Sequence, residues 1–386
     1  MYNIKMYNKI AKVGLDNFSD DYSISEEMTN EDAILVRSAA LHDIEFSDNL
    51  KAIARAGAGT NNVPIERCTQ NGIVVFNTPG ANANAVKELV VLGLLLSSRK
   101  VVDAIEWAKT LSGKGDEVGK LVEKGKSQFV GPEIKGKTLG VVGLGAIGAL
   151  VANAAIALGM NVIGYDPFLS VSAAMNLSHK ATYTKNLDEV FSASDYITIH
   201  VPLMEETKDL VNKDSIAKMK DGVRILNFAR GGLVSSDIVE ALESGKVSAY
   251  VVDFPDDNVI GKKNVIAIPH LGASTPESED NCAVMACQQV KDYLENGNIV
   301  NSVNMPKLEM DRTGDHRICV IHKNVPAQIS AITTIISKDG LNIENMVNAT
   351  KGDMGYTVLD VTGKMSDNVA SDISAIADVI RVRIIK

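Results

Sequence analysis

The chain has 386 residues, 45% of them hydrophobic, and a formal net charge of −9. This length exceeds what a single hydrophobic core usually supports, so we expect two or three domains. The acidic balance, without a dense block of Lys and Arg, argues against nucleic acid as a partner. The longest apolar run, residues 89–96, is far shorter than the ~20 residues that cross a bilayer, so we expect no membrane association.

The first residues, MYNIKMYNKIAKVG, lack the apolar segment and the small-residue cleavage site of a secretory signal, which predicts a cytoplasmic protein. The four cysteines contain no Cys-x-x-Cys pair; they are Cys68, Cys282, Cys287 and Cys319. This spacing favours reduced, mostly buried thiols over a zinc site or a disulfide framework, and we expect no metal.

Short apolar runs near the front predict the strands of a small α/β unit. They lie at residues 33–36, 52–54 and 74–77. We expect the chain that returns after residue 270 to complete this sheet. A helical pattern over residues 85–109 predicts one long helix that links this unit to the next. The predicted substrate-binding domain comprises residues 1–90 and 283–305.

In the middle of the chain, strand-like runs alternate with helical patterns. The runs lie at residues 138–142, 162–165, 196–200, 224–228, 250–252 and 265–268. Such alternation is typical of βαβ units, in which helices cover both faces of a parallel sheet. Residues 91–282 are therefore predicted to form a Rossmann-type nucleotide-binding domain.

The segment after residue 301 has little apolar periodicity, and residues 306–315 are predicted to be a linker. Residues 316–386 follow the order strand, helix, strand, strand, helix, strand, which is the ferredoxin-like βαββαβ arrangement. The predicted fold class is therefore α/β, with a Rossmann-type parallel sheet, a second, flavodoxin-like substrate domain and a C-terminal ferredoxin-like domain.

The turn after the strand at 138–142 reads Gly143-Leu-Gly145-Ala-Ile-Gly148. It opens an apolar helix and is followed, 18 residues after Gly148, by Asp166, which matches the dinucleotide-binding fingerprint. The first glycine permits the tight turn, the second lets the backbone approach a pyrophosphate, and the third allows close helix packing. Asp166 suits the adenosine ribose and repels a 2′-phosphate, which favours NAD over NADP. A glycine turn in a cofactor-free domain is the alternative.

Two further residues follow predicted strands of the same sheet. His270 follows Pro269 and precedes a turn, and Arg230 lies in the segment Asn227-Phe-Ala-Arg-Gly-Gly232. The carboxyl edge of a parallel sheet is where α/β proteins bind ligands. An arginine there can hold a carboxylate, and a histidine can transfer a proton. His200 also ends a strand, where we expect it to shape the nicotinamide pocket. A surface arginine and a core histidine are the alternative interpretation.

Taken in order, the segments GLGAIG, YDP, HVPL, NFARGG and PHLGAST resemble the D-isomer-specific 2-hydroxyacid dehydrogenases. The front segments RAGAGTNNV and FNTPG are similar to those of the members that act on 3-phosphoglycerate, and the tail resembles an ACT domain. The resemblance implies NAD-dependent oxidation of 3-phospho-D-glycerate to 3-phosphooxypyruvate, the first step of the phosphorylated pathway to L-serine.

The resemblance also implies roles for individual residues, with His270 as the general acid and base. The implied substrate residues are Arg55, Ala56, Gly57, Gly80, Lys126, Arg230 and His270. The implied cofactor residues are Thr78, Gly143, Gly145, Ala146, Ile147, Gly148, Asp166, His200, Val201, Pro202, Phe228, Ala229, Asp253, Gly272 and Ala273. Many relatives carry an arginine or histidine where this chain has Ala146, so one pyrophosphate contact is expected to be missing.

Relatives read D-V-F-x-x-E-P before the catalytic histidine, and their glutamate orients the imidazole. This chain reads Asp253-Phe-Pro-Asp-Asp257 and has no glutamate there. A deletion of one residue after Asp253 aligns Asp257 with that glutamate, so we predict Asp257 as the orienting carboxylate.

The ACT resemblance implies that His322, Asn324 and Asn342 bind serine across a paired interface. Asn324 also suits a helix N-cap, a purely structural role. Relatives often have glycine where this chain has Ala327, which bears on effector binding. We expect a homodimer or homotetramer, with the tail serving feedback by serine or packing alone.

Two other functions remain open at this point. One is another D-2-hydroxyacid dehydrogenase, such as a hydroxypyruvate or glyoxylate reductase. The other is a non-catalytic NAD-sensing protein, similar to transcriptional corepressors of this fold. Arg230 and His270 favour an enzyme, whereas the missing glutamate leaves the sensor open.

Overall fold

Three sheets organise the chain, and each is built on strands with runs of buried apolar residues. We describe them from a computed structural model, which covers residues 1–386 apart from the side chain of residue 172. They belong to two compact units, one of Met1–Asn82 with Pro276–Lys386 and one of Ala83–Thr275. The predicted boundaries at 90/91 and 282/283 lie within helices that begin at Ala83 and Pro276, and the four-part division stays a prediction.

The first sheet has five parallel strands in the order β2-β1-β3-β4-β5, which is the flavodoxin-like order that we predicted. Its elements are β1 (Tyr2–Tyr7), α1 (Lys12–Leu15), β2 (Tyr22–Ser25), β3 (Ala33–Val36), β4 (Ala52–Arg55), α2 (Ile65–Gln70) and β5 (Val74–Phe76).

The expectation that the returning chain completes this sheet was wrong. β1 and β2 complete it, and the returning chain adds a single bridge between Ser302 and Phe76. The sequence YNIKMY of β1 escaped prediction because only Ile4 in it is fully buried, so its apolar pattern is weak.

The second sheet has seven parallel strands in the order β12-β11-β10-β9-β6-β7-β8. Its strands are β6 (Thr138–Val142), β7 (Asn161–Tyr165), β8 (Thr182–Thr184), β9 (Tyr196–Ile199), β10 (Val223–Asn227), β11 (Val247–Val252) and β12 (Val265–Ala267). The chain runs outward from β6 to β8 and returns beside β6 at β9. This reversal is the switch point of the Rossmann fold, and the prediction is confirmed.

The helices of this unit are α3 (Ala83–Ser98), α4 (Val101–Lys109), α5 (Val118–Gly125), α6 (Ala146–Ala157), α7 (Val171–Asn176), α8 (Leu187–Ala193), α9 (Lys213–Lys218) and α10 (Asp237–Glu243), with 3₁₀ turns at Gly115–Glu117 and Lys126–Phe129. The single helix predicted over 85–109 is two helices. The break lies at Lys100, whose φ of 19° and ψ of 36° do not continue a helix.

The third sheet is antiparallel, in the order β14-β15-β13-β16. This part contains α11 (Pro276–Asn296), β13 (His316–Lys323), α12 (Gln328–Lys338), β14 (Asn342–Lys351), β15 (Met354–Thr362), α13 (Val369–Ser374) and β16 (Val379–Ile385). The predicted ferredoxin-like arrangement is confirmed.

The antiparallel domain packs on the end of α11 and thereby joins the first unit. The last carbonyl groups of a helix have no partner inside it. Here Arg383 donates to Tyr293 O and Leu294 O at 3.1 and 2.9 Å, and Tyr356 Oη donates to Gly297 O at 2.6 Å. Part of the predicted linker also packs, since Leu308 is buried. The C-terminal domain therefore caps this helix.

Of the helices described, none combines the length and apolar character that a bilayer-spanning segment needs. The four cysteines are buried free thiols, as the sequence predicts.

A strained position at the start of α12 can be tested. Ala327 has φ 68° and ψ 0°, which is the left-handed region where a non-glycine residue costs about 1–2 kcal/mol. We expect Ala327→Gly to stabilise α12 by about 1 kcal/mol in native-state hydrogen exchange of its amides. The matched control, Ala331→Gly, lies inside α12 and should lose about 1 kcal/mol. Faster exchange of the α12 amide hydrogens in both variants would contradict this assignment of strain.

Candidate functional site

Two of the three glycines in the turn after β6, Gly143 and Gly148, cannot be replaced without steric conflict. A Cβ on Gly143, whose φ is 92°, would lie 2.6 Å from the carbonyl oxygen of His200, and one on Gly148 would lie 1.9 Å from that of Gly143. A Cβ on Gly145 would instead point into open space. The backbone at Gly145 is therefore accessible to a ligand.

The helix that follows this turn, α6, starts at Ala146 and Ile147 and points its N-terminus at the carboxyl edge of the sheet. Asp166 follows β7 at the same edge, and its carboxylate accepts from Leu144 N and Phe168 N, both at 2.9 Å. A helix N-terminus favours a phosphate group. The open space at Gly145 and the carboxylate at the end of β7 fit a dinucleotide, which these residues would hold by its pyrophosphate and ribose.

His200 lies directly after β9, across the switch point from the glycine turn. Its Nε2 is 2.9 Å from Thr198 Oγ1, while Nδ1 is buried without a hydrogen-bond partner among the described residues. Burial lowers the pKa of His200 to about 3, so the imidazole is neutral near pH 7. A neutral ring with an unused buried nitrogen suits a pocket wall, which is the role we predicted. Val201 and Pro202 continue the chain from this ring.

Arg230 is held in a tight turn after β10. The Asn227 side chain accepts from Ala229 N at 3.1 Å and donates to Arg230 O at 2.8 Å. The Arg230 guanidinium donates to Ala229 O at 2.7 Å and is exposed. Phe228 lies beneath the turn and is buried. The turn therefore presents a cationic group at the carboxyl edge of the sheet.

His270 lies near Arg230, and one aromatic ring contacts both. The centroids of the Phe254 and His270 rings are 4.3 Å apart with an interplanar angle of 44°, and Arg230 Cζ is 5.6 Å from the Phe254 centroid. Tilted ring pairs and cations over ring faces attract one another. His270 itself has φ 53°, a conformation that non-glycine residues adopt mainly at constrained sites.

Asp253 fixes the backbone on either side of His270. This nearly fully buried residue accepts His270 N at its carbonyl, at 3.0 Å. Its carboxylate accepts Leu271 N at 2.7 Å and Gly272 N at 2.9 Å. Burial raises the pKa of the Asp253 carboxyl, while these two hydrogen bonds and the charge of His270 oppose the rise. Ala273 follows in the same turn.

The structure does not bring the predicted orienting carboxylate to the histidine. Asp257 is exposed, and no hydrogen bond or ion pair among the described residues joins it to His270. The shortened segment after Asp253 directs Phe254, not a carboxylate, at the imidazole. The charge of His270 interacts with the Asp253 carboxylate.

The substrate residues predicted in the first unit also lie at one sheet edge. Arg55 ends β4, and its Nε donates to Arg37 O at 3.0 Å. The neighbouring strand β5 is followed by Thr78, whose N–H donates to Gly57 O at 3.1 Å. This bond joins the two loops. Ala56 lies in the first loop and Gly80, with φ 82°, in the second.

The remaining predicted residues make contacts of their own. Lys126 is exposed and pairs with Glu123 one helical turn away. His322 is buried, with Nδ1 2.7 Å from Lys323 O and Nε2 2.9 Å from Thr357 Oγ1.

The other two effector candidates are exposed. Asn324 donates to Gly352 O at 3.2 Å, and Asn342 donates to Glu344 at 2.7 Å. The roles of the three effector candidates stay predictions.

Sequence reasoning did not assign roles to Phe254 and Asn227. Phe254 stands in the shortened segment that the motif comparison had already singled out, so its aromatic character was a usable signal. Asn227 lies inside the NFARGG motif, where an amide before a turn suggests a backbone-bonding role.

The open space at Gly145 allows a direct test of dinucleotide binding. We expect Gly145→Ala to leave thermal stability unchanged, because its Cβ meets no atom within 4 Å, and to weaken NAD binding at least tenfold, because the methyl group occupies the pyrophosphate approach. Gly119→Ala, which also meets nothing within 4 Å and lies outside the glycine turn, is the control for NAD affinity. Calorimetric titration with NAD measures the effect. Equal affinity in Gly145→Ala and the parent chain would place the pyrophosphate elsewhere.

Comparison with known proteins agrees with this geometry. Residues 94–272 match the family model described as D-isomer specific 2-hydroxyacid dehydrogenase, NAD binding domain. A D-3-phosphoglycerate dehydrogenase of Archaeoglobus fulgidus is 37% identical over 294 residues, which cover 73% of this chain and 53% of that protein. The chain thus spans about half the length of the curated phosphoglycerate dehydrogenases it matches.

Two further relatives are matched over most of their own length. A hydroxypyruvate reductase of Thermotoga maritima is 40% identical over 272 residues, which cover 67% of this chain and 83% of that protein. The structure of NAD⁺-bound 3-phosphoglycerate dehydrogenase of Entamoeba histolytica has a TM-score of 0.60 and 26% identity, and the match covers 78% of this chain and 98% of that one. With residues 94–272 as its NAD-binding domain, the chain belongs to the D-isomer specific 2-hydroxyacid dehydrogenase family.

Proposed function

We propose that the chain oxidises 3-phospho-D-glycerate to 3-phosphooxypyruvate with NAD, the first step of the phosphorylated route to L-serine. The observation that carries the reaction type is the contact of both Arg230 and His270 with Phe254 at the carboxyl edge of the NAD-binding sheet. The substrate rests on the relatives, several of which are named D-3-phosphoglycerate dehydrogenase at 34–37% identity.

In this proposal Arg230 and His270 have different roles in the reaction. Arg230 holds the substrate carboxylate and draws electron density from the C2 oxygen. His270 removes the C2 hydroxyl proton at an imidazole nitrogen as the C2 hydrogen leaves as hydride. NAD, when bound, supplies the acceptor for that hydride. Asp253 stabilises the imidazolium that results, because its carboxylate lies within electrostatic reach.

The remaining predicted residues complete the proposal. Arg55 and the loop at Gly57 bind the carboxylate or phosphate of the substrate, with Lys126 as a further cation. Asp257 keeps a place only as a candidate, because no hydrogen bond or ion pair among the described residues links it to His270. Serine binding by the tail, assembly as a homodimer or homotetramer and a cytoplasmic location belong to the same proposal.

A second candidate has its own support. The Thermotoga maritima protein named hydroxypyruvate reductase is 40% identical and is matched over 83% of its length. The same Arg230 and His270 would then act in the reductive direction, with His270 donating the proton. The two candidate functions differ in their substrate, since only the first requires a substrate with a phosphate group.

The roles of the cluster can be separated by kinetics. We expect His270→Ala to lower kcat for NADH formation from 3-phospho-D-glycerate at least about 100-fold, because the general base is lost, while NAD affinity is retained. Phe254→Leu should lower kcat about tenfold by releasing the imidazole, which is the magnitude of an interaction near 1.4 kcal/mol. Steady-state rates over a range of pH measure both effects.

Asp257→Asn is the control variant for these kinetic measurements. We expect it to keep the acid limb of the pH profile unchanged, whereas a shifted limb would return Asp257 to the role of orienting carboxylate. If Phe254→Leu has the same rates as the parent chain, the Phe254 ring does not orient the His270 imidazole for catalysis.

A further inference from the structure

Arg37 is a second cation at the sheet edge where Arg55 lies. It directly follows β3, and Arg55 is the last residue of the neighbouring parallel strand β4. Arg55 Nε donates to Arg37 O at 3.0 Å, so the two residues are in contact. Two arginines at one carboxyl edge of a parallel sheet suit a ligand that carries several negative charges.

The main chain at Arg37 is fixed by hydrogen bonds that do not involve its side chain. The Asn8 Oδ1 atom accepts from the backbone N–H groups of Arg37, Ser38 and Ala39, at 3.4, 2.9 and 2.8 Å. Arg55 holds the carbonyl group of Arg37 from the other side. The loop therefore keeps its position when the Arg37 side chain changes its partner or is replaced.

A carboxylate of α11 holds the guanidinium group of Arg37. Arg37 Nη2 donates to Glu279 Oε1 at 2.6 Å, and the two side chains are 44% and 45% exposed. An ion pair this exposed is weak, because water and salt screen the attraction. An anion with a higher charge can therefore displace Glu279 from Arg37.

Glu279 also has a simpler role, since a carboxylate in the first turn of a helix stabilises the helix N-terminus. Glu277 lies in the same turn of α11 and is exposed, and the ion pairs of the described residues do not include it. A purely helix-stabilising role would be shared by both residues. Glu277 thus provides a comparison that isolates the effect of the pair with Arg37.

We propose that Glu279 is a specificity-determining residue, which weakens the binding of a phosphorylated substrate by occupying Arg37. This role rests on the proposed function, in which the loop at Arg55 binds the carboxylate or phosphate of the substrate. A phosphate monoester carries about 1.5 to 2 negative charges at pH 7, so it attracts a guanidinium group more strongly than one carboxylate does. A 2-hydroxy acid without a phosphate group leaves the ion pair in place.

Steady-state kinetics with 3-phospho-D-glycerate and with hydroxypyruvate test this role. We expect Glu279→Gln to lower KM for 3-phospho-D-glycerate at least about threefold without changing kcat, because the competing carboxylate is lost. The KM for hydroxypyruvate should stay the same, and Glu277→Gln should change neither KM. In an Arg37→Gln background, Glu279→Gln should no longer lower KM, because Glu279 acts through Arg37.

Calorimetric titration of the full chain with 3-phospho-D-glycerate in the presence of NADH separates this role from the proposed reaction. Tighter binding to Glu279→Gln, in a parent chain that does not oxidise this substrate, would support the role of Glu279 and contradict the proposed reaction. Turnover by the parent chain with an equal KM and an equal affinity in Glu279→Gln would do the reverse.

Other outcomes would also overturn the role of Glu279. One is an equal gain in Glu277→Gln, which would assign the effect to the helix N-terminus. Another is an equal fall in KM for hydroxypyruvate, or a fall that persists in the Arg37→Gln background. Failure of 3-phospho-D-glycerate to bind to both the parent chain and Glu279→Gln would contradict this role and the proposed reaction together.

Discussion

The candidate active site depends on one constraint, namely that all seven strands of the second sheet are parallel. Because β6, β7, β9, β10 and β11 are parallel, the residues that follow them meet at one edge of the sheet. The glycine turn, Asp166, His200, Arg230 and Asp253 come from segments far apart in sequence, and strand direction alone gathers them. The reversal of chain order between β6 and β9 then opens the crevice in which a dinucleotide fits.

Strand direction brings these loops together but does not orient their side chains. Hydrogen bonds from buried polar side chains fix the loops and so orient the functional groups. The Asn227 amide holds the turn that carries Arg230, and the Asp253 carboxylate holds the turn that carries His270. Phe254 then contacts both functional groups from the intervening segment. His270 has a ring contact with Phe254 and an electrostatic interaction with Asp253, so its orientation and its charge support come from different residues.

Much of this architecture could be predicted from the sequence, because long apolar strands and glycine spacing have strong physical causes. The central strands of the seven-stranded sheet, β6, β9, β10 and β11, are almost continuously buried, and Gly143 and Gly148 are required by contacts below 3 Å. The failures have causes as well. β1 is buried at one position, and Lys100 breaks a helix whose apolar pattern continues across it.

The site was harder to predict in detail than the fold. A one-residue gap in an alignment shifts by one position which residue is matched to a motif position. The match of Asp257 to the orienting carboxylate depended on such a gap. Hydrogen-bond partners such as those of Asp253 depend on loop geometry that no local pattern specifies.

The central claim is that the cluster of Arg230, Phe254 and His270 belongs to a hydride-transfer site. The most direct measurement follows deuterium from 3-phospho-D-glycerate labelled at C2, by mass spectrometry of the nicotinamide product. The account predicts that the label appears on the nicotinamide ring and that the labelled substrate reacts more slowly. NAD binding without label transfer from this substrate, and without reduction of hydroxypyruvate by labelled NADH, would contradict the claim.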